Sequence, residues 1–358
     1  MSRRPIIEGR RHSARLNSPQ ACLRGICFVA LILLLPFSAR GEKRLFIIDD
    51  DNGMDKKGCA RDRKLRPSQP WLPVCDPDGG LQLVYALRDP EIEVIGITCS
   101  AGCSSLRVCV DADKKLLKLL GREDVPVLAG ASGPKDLGKS TEASKFIIDQ
   151  VMSRPGQIEI LATAPLTNLA TAMMAEPALA NNWKTLHFAT GEFHGALGVR
   201  SDARFWEWSG YRDMNINVDS AATRYVVEHG GAFPIYPNEV MDDVELTLSE
   251  WRSLRKSDSE LGGYLADQCS IMVKVEGTVG RLLGLKGMTL HGIIGAALAF
   301  HPELFTGQTI ISPIKVVQTK KNGDIFELSS ETGLETHAIN WQFKDAQLFK
   351  QQYLDRFR

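Results

Sequence analysis

Aspartates are concentrated in two short segments whose spacing could serve metal chemistry. Residues 49–55 carry four of them, and Asp76 and Asp78 follow further along the chain. Carboxylates at this density repel one another unless a cation or a shared proton offsets their charge. Oxygen ligands of this kind suit Ca²⁺ or Mg²⁺, and a bound metal can lower the pKa of a water and make it a nucleophile. An acidic surface loop is the competing interpretation, and the local pattern does not choose between the two.

The segments that must position these acids alternate between strand and helix. Apolar runs typical of strands lie at residues 44–48, 92–98, 125–128, 158–162 and 186–189, with helical apolar spacing between them. This alternation predicts an α/β fold with a mostly parallel, open sheet flanked by helices. In such sheets a ligand binds beyond the carboxyl ends of the strands, where the first aspartates lie. The polar stretch at about 56–75 has no periodicity and is predicted to be a loop insertion.

Several ordered motifs resemble those of one enzyme family, the inosine/uridine-preferring nucleoside hydrolases. The similar segments are residues 49–55, 78–87, 89–98, 164–170, 212–219 and 290–305. The resemblance implies a single large domain over residues 42–358. It also implies a hydrolase that cleaves the N-glycosidic bond of a ribonucleoside or related N-riboside with metal-activated water. The implied partner is therefore a small molecule, and a homo-oligomer is left open.

The resemblance further implies a calcium site built largely from acids. Asp49 and Asp51 would be metal-side carboxylates, and Thr167 would offer its backbone carbonyl. Asp76 is expected to replace an acid that the family pattern has and this chain lacks. Since Ca²⁺ prefers six to eight oxygen ligands, this set looks incomplete.

The same resemblance suggests roles in catalysis and in sugar binding. Asp78 is the expected base that takes a proton from the attacking water, because a helix follows it directly; Asp55 is the alternative. Asp213 and Asn215 would hold ribose hydroxyls. His291 would protonate the departing nucleobase.

Departures from the family pattern raise a second hypothesis. Gly79 and Gly292 stand where the family has acids, and Cys103 stands where it has asparagine. A catalytically impaired protein that binds a nucleoside or sugar on the same fold is therefore the alternative. Trp206 and Trp208 could stack on a nucleobase or pack in the core, and both interpretations stay open.

The first 41 residues differ from the rest of the chain. They carry seven arginines and one glutamate, followed at 25–37 by an apolar run of 13 residues. This run is shorter than the roughly 20 residues of a membrane-spanning helix and fits a signal peptide. Residues 1–41 are thus expected to be cleaved from an exported protein, with an uncleaved anchor as the alternative. The remainder would carry a charge of about −6, since the whole chain is neutral, and neither value supports nucleic-acid binding.

Six cysteines remain beyond the leader, an even number that suggests disulfides in an exported chain. The candidate pairs are Cys59 with Cys75, Cys103 with Cys109, and Cys99 with Cys269, among about 15 connectivities that six cysteines allow. A zinc site is the competing interpretation, although the chain has no C-x-x-C and no paired histidines at metal spacing.

Overall fold

The structure, a computed structural model, describes residues 42–67, 75–193, 213–241, 244–256, 259–278, 280–283, 285–305, 309–319, 323–331, 336–339 and 344–357. The predicted leader and the two tryptophans at 206 and 208 lie outside these residues. Within them, no helix is both long and apolar enough to span a membrane.

The strands of the described residues are β1 Arg44–Asp50, β2 Ile92–Cys99, β3 Val127–Ala129, β4 Ile158–Ala162, β5 Thr185–Phe188, β6 Pro234–Ile235, β7 Glu245–Thr247, β8 Gly287–Thr289, β9 Ile310–Thr319, β10 Gly323–Leu328 and β11 Thr336–Ile339.

The α-helices are α1 Lys56–Arg61, α2 Asp78–Leu87, α3 Leu106–Leu120, α4 Glu142–Ser153, α5 Thr167–Ala175, α6 Met214–Val218, α7 Ser220–His229, α8 Asn238–Met241, α9 Leu248–Arg255, α10 Glu260–Gln268, α11 Ser270–Thr278, α12 His291–Phe300 and α13 Ala346–Arg356. Short 3-10 turns lie at Arg63–Leu65, Pro134–Asp136, Pro177–Asn181, Gly280–Leu283 and Pro302–Leu304.

The main sheet confirms the predicted α/β architecture. Its strand order is β10-β9-β11-β6-β5-β4-β1-β2-β3, and the pairs from β3 through β6 to β11 are parallel, whereas those of β9 are antiparallel. The chain order reverses between β1 and β4, so the loops that follow these two strands diverge and leave a crevice between them. Strands β7 and β8 form a separate antiparallel pair.

Apolar side chains of β1 alternate between two hydrophobic clusters. Phe46 and Ile48 pack with α2, α3 and α12, whereas Ile47 packs with α4, α5 and α7. This period of two follows from the pleat of a strand and shows helices covering both faces of the sheet. Helix α2 is buried from Gly79 to Leu87 because α12 packs against it.

The predicted loop insertion contains ordered helix. Helix α1 and a 3-10 turn at Arg63–Leu65 occupy its first part. A helix of six residues is too short to show apolar periodicity, which is why the sequence pattern concealed it. The Asp62 carboxylate holds the segment by accepting hydrogen bonds from Arg107 and Ser105. Hydrogen bonds from Arg61, then from Arg107 and Ser105, lower the pKa of Asp62 against the effect of burial.

One of the three candidate disulfides is formed. Cys59 and Cys75 are bonded and close the insertion, as expected. The pairings of Cys103 with Cys109 and of Cys99 with Cys269 are wrong, because all four thiols are free and buried. Cys103 precedes α3 and donates to the Asp51 carbonyl, whereas Cys109 lies within the helix and donates to the Asp50 carbonyl.

Candidate active site

A polar cavity lies beyond the carboxyl ends of β1 and β4, at the crevice that the strand order creates. Its lining comprises Asp51, Asp76, Asp78, Gly79, Gln82, Cys103, Thr163, Ala189, Thr190, Asp213, Met214, Asn215, Asn238, His291 and Gly292. Six of the eight predicted site residues are in this set. Asp49 and Thr167 are not.

The chain returns after the insertion so that Asp76 lies beside the end of β1. The Gly53 N–H donates to the Asp76 carbonyl at 3.1 Å, which fastens the two segments together. A Cβ at Gly53 would lie 2.3 Å from the Cβ of Cys75, so only glycine permits this approach. Asp76 therefore lines the same cavity as Asp51 although 25 positions separate them.

Asp51 is held by the residues that precede α3. Its Oδ2 accepts the Cys103 N–H at 2.6 Å, and its carbonyl accepts the Ser104 hydroxyl at 2.9 Å. Burial raises the pKa of Asp51 to about 7; the Cys103 N–H opposes this rise, and the charge of Asp78 adds to it. A buried carboxyl group with such a pKa is stabilised in its charged form by a nearby cation.

Helix α2 begins at Asp78, and Asp76 lies two residues before it. Asp76 Oδ1 accepts the Asp78 N–H at 3.1 Å, and burial followed by the charge of Asp78 raises the pKa of Asp76 well above its usual value. Asp78 Oδ2 accepts the Gly292 N–H at 3.0 Å, which joins α2 to the first turn of α12. His291, the first residue of α12, lies next to this contact and lines the cavity.

The opposite wall of the cavity carries hydroxyl and amide groups. Asp213 accepts hydrogen bonds from Thr190, the Gly191 N–H and Asn238, and it caps α6 through the Ile216 N–H. This carboxylate therefore fixes the wall as well as lining it.

Asn215 connects this wall to the end of β4. Its Nδ2 donates to the Thr163 carbonyl and to the Thr190 hydroxyl, each at 3.1 Å. The Thr163 hydroxyl in turn accepts from Gln82 at 3.1 Å. Asn215 and Thr163 thus occupy neighbouring positions between the acidic and the polar walls.

Asp49 and Thr167 have other contacts. Asp49 Oδ1 accepts from the Thr98 hydroxyl at 2.7 Å and from Asn168 Nδ2 at 2.9 Å, and burial raises its pKa to about 6. The Thr167 hydroxyl donates to Asp219 at 2.6 Å. Thr163 is the threonine that lines the cavity. It could have been found from the sequence because it follows β4 directly, as Asp51 follows β1.

The charge of the lining fits a divalent cation. Four carboxylates line the cavity, three of them, Asp51, Asp76 and Asp78, on one wall and Asp213 on the other, and His291 is the only basic side chain among the described lining residues. The only described group in which three ligand atoms lie within 4.8 Å of one another is elsewhere, at Cys99, Cys109 and Asp113. The cavity therefore offers hard oxygen ligands of the required charge in an open arrangement.

The profile of the inosine-uridine preferring nucleoside hydrolase family matches residues 74–346, which is most of the chain. The protein belongs to this family. The predicted resemblance is thereby confirmed, and the protein is a hydrolase of the N-glycosidic bond of ribonucleosides, as its family is. The matched region begins at the end of the insertion and does not include the acids at the end of β1.

Individual relatives have low sequence identity to this chain, but the alignments cover most of both proteins. A probable uridine nucleosidase 1 of Oryza sativa subsp. japonica is 24% identical over 272 residues, covering 69% of this chain and 79% of that protein. A pyrimidine-specific ribonucleoside hydrolase RihA of Citrobacter koseri is 26% identical over 265 residues, covering 66% and 81%.

Solved structures share the fold. A plant nucleoside hydrolase superposes with a TM-score of 0.67 at 21% identity, and a purine-preferring ribonucleoside hydrolase from Gardnerella vaginalis with 0.68 at 21%. Each match covers 88% of this chain and 98% of the other. Nothing in these matches favours the impaired binding protein over the enzyme.

Proposed function

We propose that the cavity cleaves ribonucleosides with Asp78 as the base and His291 as the acid that protonates the departing nucleobase. The observation that carries this assignment is that a hydrogen bond joins Asp78 to Gly292, the residue that follows His291. Asp78 begins α2, His291 begins α12, and the Gly292 N–H joins the two helices through Asp78 Oδ2. Both residues therefore line the same cavity from helices that are joined to each other.

Asp78 has the geometry that a general base needs. The Gly292 N–H orients Oδ2, and no described protein group donates to Oδ1. Oδ1 is thus free to accept a proton from a water in the cavity. A base positioned in this way contributes a factor of about 10²–10⁴ to the rate.

We propose that Asp51 and Asp76 hold the divalent cation of this site and that the ion is Ca²⁺. Their oxygen ligands suit a hard cation, and burial has already raised the pKa of both groups in a way that a positive charge would reverse. When bound, the ion would lower the pKa of a coordinated water. Metal roles for Asp49 and Thr167 stay predictions without support from their positions.

The polar wall is the proposed binding site for ribose. Asp213, Asn215, Asn238 and Thr190 present oxygen and nitrogen atoms that are already ordered by mutual hydrogen bonds. A sugar diol can exchange with parts of this network at little cost in side-chain entropy. We favour a pyrimidine ribonucleoside, because similar relatives are named uridine nucleosidase and pyrimidine-specific hydrolase.

The test is hydrolysis of uridine, cytidine, inosine and 2′-deoxyuridine, followed as free ribose and free base, with and without added Ca²⁺. We expect release from uridine, and a loss of about 10²–10⁴-fold in kcat for Asp78→Asn. Asp111→Asn, an isosteric change on the exposed side of α3, is the matched control and should keep full activity. A folded protein that releases ribose from none of these substrates would contradict the proposal. Binding without turnover would then identify the impaired alternative.

Export is also proposed, from the arginine-rich leader and the disulfide between Cys59 and Cys75. Disulfides persist mainly in oxidising compartments, which is consistent with a protein that leaves the cytosol.

A further inference from the structure

A second cluster of metal-ligand side chains lies outside the cavity. Cys99 is the last residue of β2, and Cys109 and Asp113 lie one turn apart on the same face of α3. One ligand atom from each residue lies within 4.8 Å of the other two. All three residues are completely buried, and none of them lines the cavity.

The distances within this cluster suit a tetrahedral ion. The Cys99 Sγ lies 3.1 Å from Asp113 Oδ2, and the Cys109 Sγ lies 3.6 Å from the same oxygen. Zinc with Zn–S of about 2.3 Å and Zn–O of about 2.0–2.2 Å places sulfur and oxygen ligands about 3.6 Å apart. The three side chains could therefore contact one ion with shifts of a few tenths of an ångström.

A second acid lies near the cluster. Asp50 is fully buried; its Oδ1 accepts the Asp51 N–H, but its Oδ2 has no hydrogen-bond partner. Within the described residues neither Asp50 nor Asp113 forms an ion pair. A buried acceptor without a partner is costly, and an ion would satisfy it.

We propose that Cys99, Cys109 and Asp113 bind a Zn²⁺ ion through two sulfur atoms and one carboxylate oxygen. Binding releases the two thiol protons to solvent as two S–Zn bonds form, and no redox change takes place. Two thiolates and one carboxylate are ligands that Zn²⁺ takes in proteins, and the Asp50 carboxylate, which lies outside the 4.8 Å group, would have to move towards them to become a fourth. Ca²⁺ is excluded as the occupant because thiolates are soft ligands and Ca²⁺ selects oxygen.

The proposed ion would brace the loop that carries the catalytic acids. Asp113 Oδ1 accepts the Asn52 Nδ2 at 2.8 Å, and Asn52 directly follows Asp51. The site thus joins β1, β2 and α3 behind the cavity, and its existence does not depend on which nucleoside the cavity accepts.

The test uses the full chain purified without chelators and equilibrated with Zn²⁺ before dialysis into metal-free buffer. We expect one zinc ion per chain by mass spectrometry, and a thiolate-to-metal charge-transfer band when Co²⁺ replaces zinc. These measurements on the wild-type protein test the proposal even if the variants described next fail to fold. A Co²⁺ complex without this band, or a chain without bound zinc, would overturn it.

Substitutions of the proposed ligands and of the other free cysteines test where the ion binds. Cys109→Ser and Asp113→Asn should lose it. Cys269→Ser, which alters another buried free thiol, and Cys103→Ser, which alters the thiol of the cavity, should retain it. Zinc that persists in Cys109→Ser would contradict the assignment. A disulfide between Cys99 and Cys109 in non-reducing peptide maps would also overturn it, since the two thiols would then be unable to bind the ion.

Discussion

Replacing Glu276 by glutamine should make the protein more stable at pH 8 and leave its stability unchanged below pH 4.5. Glu276 lies on α11, is fully buried, and accepts the Thr289 N–H at 3.0 Å, two residues before His291. Burial raises its pKa from 4.5 to about 8, a rise that the Thr289 N–H and the charge of His291 oppose. The unfolded chain therefore releases this proton at a lower pH than the folded chain.

The sign and size of the change in unfolding free energy follow from the linkage between proton binding and folding. Because the folded pKa is raised, the stability contribution is fully present below pH 4.5 and is lost as the pH rises towards 8. Each pH unit in that window costs about 1.4 kcal/mol, so Glu276 should cost about 3 kcal/mol at pH 7. Glutamine has the same shape, can still accept the Thr289 N–H, and never ionises.

The assay is urea unfolding of wild type and Glu276→Gln in metal-free buffer between pH 4 and 8.5. The difference in unfolding free energy should grow with pH in favour of the variant. Glu250→Gln is the control of opposite sign, since its hydrogen bonds with Lys350 and Thr247 outweigh burial and lower the pKa of Glu250. Its stabilising effect is present above pH 4.5 and is lost as the pH falls, so Glu250→Gln should be less stable than wild type at pH 7. A pH-independent difference for Glu276→Gln would refute this reasoning.

Four further predictions concern the insertion, the metal and the leader. Cys75→Ser opens the disulfide and should weaken Ca²⁺ binding measured by calorimetry, because it frees the segment that carries Asp76; unchanged affinity would contradict this. Asp49→Asn should change that affinity less than twofold, since Asp49 does not line the cavity, whereas a large loss would restore its predicted metal role. Gly292→Asp should lower the melting temperature and fail to improve Ca²⁺ affinity, because a Cβ there would lie 2.7 Å from Gln82 Oε1; a gain in both would show that the neighbouring side chain moves aside easily. Expression with the native leader should give a secreted protein whose sequenced N-terminus is residue 42, and an intact leader would indicate the anchor instead.

The sequence located the acidic wall because strand ends and helix starts are visible as local patterns. Asp51 follows an apolar run, and Asp78 precedes helical spacing, so both could be placed at the carboxyl edge of the sheet. The sequence did not single out Thr163, which lines the cavity and lies four residues before Thr167 in the same segment, and the predicted metal role of the Thr167 carbonyl stays a prediction. Only the structure shows that the Thr167 hydroxyl points to Asp219.

The spacing of the cysteines in the sequence could not predict which of them pair. Cys103 and Cys109 are six residues apart, close enough to pair in a loop, but α3 begins between them and separates their contacts. Cys99 and Cys109 come together only because β2 packs beside α3, a tertiary contact without a local signal. For the same reason the absence of a C-x-x-C motif says little about a metal site assembled from a strand and a helix.

The missing acids of the family pattern have a physical explanation in the insertion. A Cβ at Gly79 would lie 2.5 Å from Asp50 Oδ1, so a side chain at position 79 requires the Asp50 carboxylate to move. Asp76 supplies a carboxylate to the same cavity from a segment that the Cys75 disulfide and the Gly53 hydrogen bond hold in place. The negative charge needed for a cation is therefore supplied by Asp76, which lies between the insertion and α2, and not by position 79 of the helix. Metal affinity in this protein should depend on the disulfide, a coupling that a ligand located on the helix would not create.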